Sequence, residues 1–127
     1  EQNTPEPGAA AVTADGGAIA PQSTTSATAG ASRLSSTSGS VSANASFNVK
    51  ASKASCNITL QEKHNGSWRT ATNLPVYSYV KNVYDAYSIG ASKTFTLKSG
   101  TVYRAKVVFT DTNSSGTHIT TKYTGSF

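Results

Sequence analysis

The stretch from Phe95 to Phe109 constrains the fold of this chain more than any other. Within it, Leu97, Gly100 and Tyr103 follow a Leu-x-x-Gly-x-x-Tyr spacing, and apolar and polar residues alternate from Tyr103 onward. A period of two predicts a β-strand with one buried face. Glycine permits a sharp corner, and the tyrosine behind it can fill the core while its hydroxyl bonds the backbone upstream, as in the tyrosine corner of Greek-key sandwiches. The alternative is a simple hairpin with an inward tyrosine, and both interpretations predict antiparallel β-structure.

The same period of two recurs along the chain, and no helical period accompanies it. Asn65-Gly66 is the strongest short signal for a hairpin turn, because a type I′ turn requires positive φ at both positions. Strands are expected near 32–37 and at 41–51, 54–61, 93–97, 101–110 and 117–124, whereas 76–91 is interpreted as a short edge strand and a crossing loop. Roughly seven or eight short strands predict an all-β, immunoglobulin-like Greek-key β-sandwich.

Charge and composition divide the chain into two regions. Residues 1–30 are rich in Ala, Ser, Thr and Gly and contain three acidic and no basic residues, which gives −3. Residues 31–127 contain all 11 basic residues and three acidic ones, which gives +8. A segment with so few large apolar side chains cannot offset its ordering entropy alone. We therefore predict an extended acidic arm over 1–30 and one basic β-sandwich domain over 31–127.

Residue usage bears on the compartment. The chain begins at Glu1 and contains no methionine, so we expect a secreted, extracellular protein whose signal peptide has been removed. A single cysteine, Cys56, excludes an intrachain disulfide. Its alternation with Ala54 and Ile58 favours an inert core thiol over a nucleophile. No apolar run approaches the about 20 residues that span a bilayer.

The chain offers little for catalysis. No metal-ligand spacing, glycine-rich phosphate loop or Gly-x-Ser-x-Gly elbow is present in the sequence. No run of Lys and Arg indicates nucleic-acid binding. We therefore predict a protein that is not an enzyme, with no cofactor, no metal site and no nucleic-acid partner. The titratable residues of the domain, apart from Lys, Arg and Tyr, are Glu62, His64, Asp85, Asp111, His118 and Cys56.

The Asn65-Gly66 hairpin places the only tryptophan. With a two-residue loop, Lys63 faces Trp68, and Glu62 faces Arg69 as a cross-strand charge pair. Trp68 then lies on the face opposite the apolar one, as an exposed surface for recognition or assembly. The alternatives are a bulge that turns Trp68 inward, or Lys63 covering its ring.

A tyrosine cluster follows the hairpin. Tyrosine combines apolar area with a polar handle, which suits contact with sugars or with another protein. The alternative is an edge strand that closes one flank of the sandwich. With Trp68, the predicted surface-recognition residues are Tyr77, Tyr79, Tyr84 and Tyr87.

Three runs resemble a known group of proteins. They are Leu60–Trp68, the corner with Tyr103-Arg104, and Ala105–Phe109. On these residues, the chain is similar over roughly 31–127 to small secreted single-domain β-sandwich proteins of gut Firmicutes, a family of unknown function. The resemblance implies export and an all-β fold and brings no catalytic residue. The chain departs from this family in its longer Ala/Ser/Thr-rich leader.

These features favour one function and leave a second as the alternative. The first is an extracellular structural subunit that assembles with copies of itself into a filament, pilus-like or matrix polymer, its arm acting as a donor strand. The second is a secreted or cell-surface module that binds glycans or anionic cell-wall polymers through Trp68, the tyrosines and the lysines. The predicted assembly-arm residues are Ala10, Val12, Ala14 and Ile19.

Overall fold

A computed structural model describes residues 24–127 as an all-β domain, with 78% of these residues in strands and no helix among them. All strand pairs are antiparallel and belong to one sheet. The predicted all-β class is therefore confirmed. The strands are β1 (Thr24–Ser35), β2 (Ser38–His64), β3 (Ser67–Thr70), β4 (Ser78–Thr96), β5 (Tyr103–Asn113) and β6 (Gly116–Tyr123).

The 27-residue strand β2 organises the sheet. Its first half pairs with β1 and with the second half of β4, and its second half pairs with β5 and with the first half of β4. Between Ser46 and Ala51, the pairing with β4 shifts register, leaving residues 47–50 of β2 opposite the single Tyr87. Bulges of this kind bend a strand and increase its twist. The bend gives one curled antiparallel sheet with two halves.

The described part of the chain has six strands, not the seven or eight expected. The segments 41–51 and 54–61 form one strand, β2, and the segments assigned to an edge strand, a loop and a further strand form β4. The chain bends inside a hydrogen-bonded ladder, so no turn residues mark the change of direction. Strand β1 begins at Thr24 and crosses residue 31, the expected start of the domain.

Both halves of the sheet bury side chains in one hydrophobic cluster. Because side chains alternate, every second residue of β2 and β5 faces this core. Burial of a large apolar side chain stabilises the fold by about 1.5–3 kcal/mol, so the shared cluster holds the halves together. Its largest fully buried apolar members are Tyr103, Phe95, Phe109, Ile58, Leu60, Val41 and Val107.

The link between β4 and β5 has the geometry of a tyrosine corner. Gly100 has φ +81°, Leu97 is buried, and the hydroxyl of buried Tyr103 accepts a hydrogen bond from the Lys98 backbone N–H at 3.0 Å. Phe127 adds two backbone hydrogen bonds to Tyr103, at 2.8 and 2.9 Å. The corner carries the chain from one half of the sheet to the other, because Thr96 pairs with the start of β2 and Tyr103 with its end.

The β2–β3 hairpin follows the predicted register. Asn65 and Gly66 have φ +52° and +81°, as a type I′ turn requires. Lys63 pairs with Trp68, and Glu62 pairs with Arg69. The predicted charge pair is confirmed, since Arg69 Nη2 lies 2.7 Å from Glu62 Oε2. The hairpin thus fixes which face of the sheet carries the tryptophan.

Candidate functional site

The outward side of the second half of the sheet forms a basic face. It consists of alternate residues of β2 from Lys53 to Lys63, of β5 from Arg104 to Thr112, and of β6 from Thr117 to Tyr123, together with Trp68 of β3. Cross-strand partners share a face, which places Gln61 beside Arg104 and Lys106 beside Tyr123. The cations of the basic face are Lys53, Lys63, Arg104 and Lys106.

A stack of alternating cations and aromatic rings, in the order Lys63, Trp68, Arg104 and Tyr123, lies at one end of the basic face. The guanidinium carbon of Arg104 is 4.6 Å from the Trp68 ring centroid and 4.3 Å from that of Tyr123. The Lys63 ammonium lies 5.7 Å from the Trp68 ring centroid. Arg104 Nε also donates to Gln61 Oε1 at 2.7 Å. Two rings and an amide therefore fix the position of the guanidinium.

The acidic residues of the described chain lie away from the basic face. Glu62 and Asp111 are buried on the core side, and Asp85, on β4, is not a cross-strand partner of any residue of the basic face. Within residues 24–127, the face thus combines four basic side chains with no carboxylate. The potential of these four cations attracts anions, because none of the described residues places a carboxylate among them.

Trp68 is half-buried, with Lys63 and Arg104 beside its ring. No bulge turns it inward, because the β2–β3 register is regular. Two interpretations remain, an exposed recognition surface and a ring covered by Lys63. Lys63 does contact the ring, and Arg104 lies closer to it. Trp68 is therefore part of a preformed stack.

The predicted tyrosine cluster divides among different surroundings. Tyr77 precedes β4, and Tyr79 packs against the core with the Lys93 ammonium 5.6 Å from its ring centroid. Tyr84 and Tyr87 are 64% and 58% exposed. Tyr84 is the cross-strand partner of Lys53 and so adjoins the basic face. These four tyrosines do not form one surface.

Cys56 is fully buried on the apolar side of β2. Burial raises the pKa of its thiol from 9.0 to about 11, while the nearby Lys81 ammonium acts in the opposite direction. A thiol that stays protonated at neutral pH is a poor nucleophile, so its position fits packing.

Asp111 and His118 are buried cross-strand partners, with His118 Nδ1 3.6 Å from Asp111 Oδ2. Thr24 Oγ1 donates to Asp111 Oδ1 at 3.2 Å. This contact joins the start of β1 to the β5–β6 hairpin. Among the residues described, no group of three or more His, Cys, Asp or Glu is placed to hold a metal ion. The same residues include no helix long and apolar enough to cross a bilayer.

Two members of the stack, Arg104 and Tyr123, were not among the predicted site residues. The alternation after Tyr103 already puts Arg104 on the polar face. Its contact with Tyr123 depends on the β5–β6 register, which the sequence signals less clearly. The predicted assembly-arm residues Ala10, Val12, Ala14 and Ile19 lie outside the described residues.

The described residues define an all-β domain built on one curled antiparallel sheet, with a basic face that contains a cation–aromatic stack. The chain matches no protein-family model, no curated protein and no solved structure.

Proposed function

We propose that this protein is a secreted, non-enzymatic module that binds anionic glycans or anionic cell-wall polymers through its basic face. The observation that carries the proposal is the Arg104 guanidinium held between the rings of Trp68 and Tyr123, on a face to which residues 24–127 contribute no carboxylate. A polymer with repeated sulfate, phosphate or carboxylate groups matches such a face in charge and in extent.

The stack supports this function by placing a charge before the ligand arrives. A surface arginine normally loses side-chain entropy when it binds an anion, at about 0.5–1.5 kcal/mol per ordered side chain. Arg104 is already ordered by two rings and Gln61, so that cost is smaller. Guanidinium groups also match oxyanions in geometry, and aromatic rings can pack on the apolar faces of sugars.

The test measures binding of the full chain to heparin, used as a sulfated glycan, by calorimetry at several salt concentrations. Arg104→Gln should weaken binding about tenfold or more, because a charge-assisted hydrogen bond contributes about 1.5–3 kcal/mol. Lys50→Gln is the matched control, since it removes the same charge from the bulge of β2 outside the basic face. It should change affinity less than threefold or so, by long-range attraction alone.

Three outcomes would contradict binding of a glycan at the basic face. Equal losses in the two variants would show non-specific charge attraction and overturn the assignment to the basic face. Tighter binding to a single-stranded oligonucleotide than to heparin would move the function to nucleic acid and overturn the glycan class. Retention of affinity in Trp68→Leu would remove the stack from the site.

A second function, self-assembly by strand addition, is supported by β1. This strand consists mainly of small residues and pairs along the first half of β2, with Ala27, Ala29 and Ala31 packed against the core. The part of the arm that precedes β1, residues 1–23, is likewise rich in small residues. We propose that the arm of one copy pairs with a free strand edge of another, which gives a filament or matrix.

This second function is tested by particle size. Val12→Pro removes a backbone donor from the arm, whereas Gln2→Pro, the control, lies outside its alternating segment. Sedimentation should show large particles for the unchanged chain and the control, and smaller ones for Val12→Pro. A monomer in all three would overturn self-assembly.

The immunoglobulin-like Greek-key description is likewise a proposal. It is supported by the tyrosine corner and by a chain that crosses between the halves of the sheet there. An experimental structure in which the halves pack face to face as separate sheets would fit it, and a closed ladder around the core would overturn it.

A further inference from the structure

A polar groove lies beside β4 in a different part of the molecule from the basic face. Its volume is about 350 Å³. Ser42 and Asn44 of β2 face Ser92 and Gly90 of β4 as direct cross-strand partners. Tyr79 and Lys81, from the first half of β4, line the other side, and Ala43 and Ala91 also line the groove. The bend in the sheet thus brings the two halves of β4 to one groove.

The groove presents hydrogen-bonding groups and one cation. Two serine hydroxyls and the Asn44 amide can each donate and accept. The Lys81 ammonium donates to the Gly90 carbonyl oxygen at 2.8 Å, and an ammonium has further N–H groups to offer a ligand. None of the described residues that line the groove is acidic. The groove therefore suits a hydroxyl-rich ligand that carries a negative charge.

The floor of the groove depends on glycine at position 90. A Cβ at this position would lie 3.0 Å from Asn44 Oδ1, so the Asn44 amide would have to shift by a few tenths of an ångström. The Tyr79 ring is held in place by packing against the core and by the Lys93 ammonium, 5.6 Å from its centroid. The Tyr79 ring thus forms a fixed wall of the groove, and the Asn44 side chain lies against the backbone of Gly90.

We propose that this groove binds one acidic sugar unit of the uronic acid class. The carboxylate of the sugar pairs with the Lys81 ammonium, and its hydroxyls bond Ser42, Ser92 and Asn44. A volume of about 350 Å³ lies at the lower end of the roughly 300–1,000 Å³ of small-molecule sites, which suits a single pyranose ring. This site does not rest on the basic face, since its residues are different.

The test titrates the ¹⁵N-labelled full chain with sodium glucuronate and, separately, with glucose, and follows backbone amide shifts. Glucuronate should move the amides of Asn44, Lys81 and Gly90 with a dissociation constant on the order of 1–10 mM, typical of one small polar ligand. Glucose lacks the carboxylate and should bind about tenfold more weakly or worse.

Two variants and a control locate the site. Lys81→Gln should reduce the preference for glucuronate over glucose to less than about twofold, while Lys53→Gln, on the basic face, should leave it unchanged. Gly90→Ala should weaken both sugars by displacing Asn44. The dispersion of each spectrum shows whether the variant is folded, and Lys81→Gln keeps the test valid if Gly90→Ala does not fold.

Three results would overturn the proposal. They are shifts confined to residues of the basic face, equal affinity for glucose and glucuronate in the unchanged chain, and no shift at the groove amides at sugar concentrations well above the expected dissociation constant. Loss of heparin binding in Arg104→Gln bears on the basic face alone, so the two proposals fail separately.

Discussion

The guanidinium carbon of Arg33 lies 5.5 Å from the ring centroid of Tyr103, so a cation–aromatic contact joins β1 to the tyrosine corner. The same guanidinium donates hydrogen bonds to backbone carbonyls at the end of β1 and in the corner itself. A planar fork of five N–H donors can serve several carbonyls at once, which a lysine ammonium cannot do from one position. The carbonyl oxygens that accept from Arg33, at 2.6 to 3.1 Å, belong to Ser35, Ser36, Lys98 and Thr101.

Replacement of Arg33 by lysine should lower the free energy of unfolding by about 2–3 kcal/mol, since several hydrogen bonds from a charged donor are lost. Urea denaturation followed by Trp68 fluorescence measures the change. Lys50→Arg is the control, because Lys50 is exposed and should tolerate the exchange within about 0.5 kcal/mol. A loss for Arg33→Lys no larger than the control would show that the carbonyl contacts contribute nothing.

Tyr103→Phe should cost about 1 kcal/mol, because the Lys98 N–H loses the phenolic oxygen that accepts its hydrogen bond. Tyr87→Phe is the matched control at an exposed position, with an expected change below about 0.5 kcal/mol. Thermal and urea denaturation give both values. Equal stability of the two variants would contradict a stabilising role for the hydroxyl at the corner.

Two glycines give opposite expectations for the same substitution. A Cβ at Gly39 would lie 2.8 Å from Leu97 Cδ1 and 2.9 Å from Phe127 Cε2, so Gly39→Ala should destabilise the domain by about 1–3 kcal/mol through overpacking. At Gly30 of β1, an added Cβ meets no atom within 4 Å. Gly30→Ala should stabilise by about 0.4–1 kcal/mol, because alanine loses less backbone entropy. Denaturation midpoints that change in the same direction would contradict this contrast.

Cys56 should resist thiol reagents in the folded protein at about pH 8 and react once guanidinium unfolds the chain, because burial keeps the thiol protonated. Its raised pKa also affects stability. The folded state favours the neutral thiol, so this contribution is present below pH 9.0 and is lost as pH rises through about 11. The difference in stability between the unchanged chain and Cys56→Ala should therefore narrow over this range. A rapid reaction of the native thiol would contradict its burial.

Local signals in the sequence predicted the parts of the fold that depend on neighbouring residues. Asn65-Gly66 gave the register of the β2–β3 hairpin, and hence the Glu62–Arg69 pair, because a two-residue turn leaves one way to align its strands. The spacing of Leu97, Gly100 and Tyr103 likewise led to the corner, since the hydrogen bond that defines it joins Tyr103 to Lys98, five positions upstream.

Features that depend on distant pairing could not be predicted. The bend at 47–50 lies inside a hydrogen-bonded ladder. The alternation of apolar and polar residues continues through it without a break, so the local pattern does not mark it. The contact of Arg104 with both Trp68 and Tyr123 requires four strands in register, β3, β2, β5 and β6. The groove requires the sheet to bend so that the two halves of β4 line the same groove, and no local pattern of residues encodes this bend.

The bulge in β2 has a consequence for how the molecule could be divided. Cleavage of the chain within 47–50 would release a piece carrying β1 and half of β2, and would leave the far end of β4 without its neighbour. Each piece would then carry the strands that pair with those of the other, so the two pieces should reassociate spontaneously on mixing. The domain is in this sense a pair of complementary fragments joined in one polypeptide.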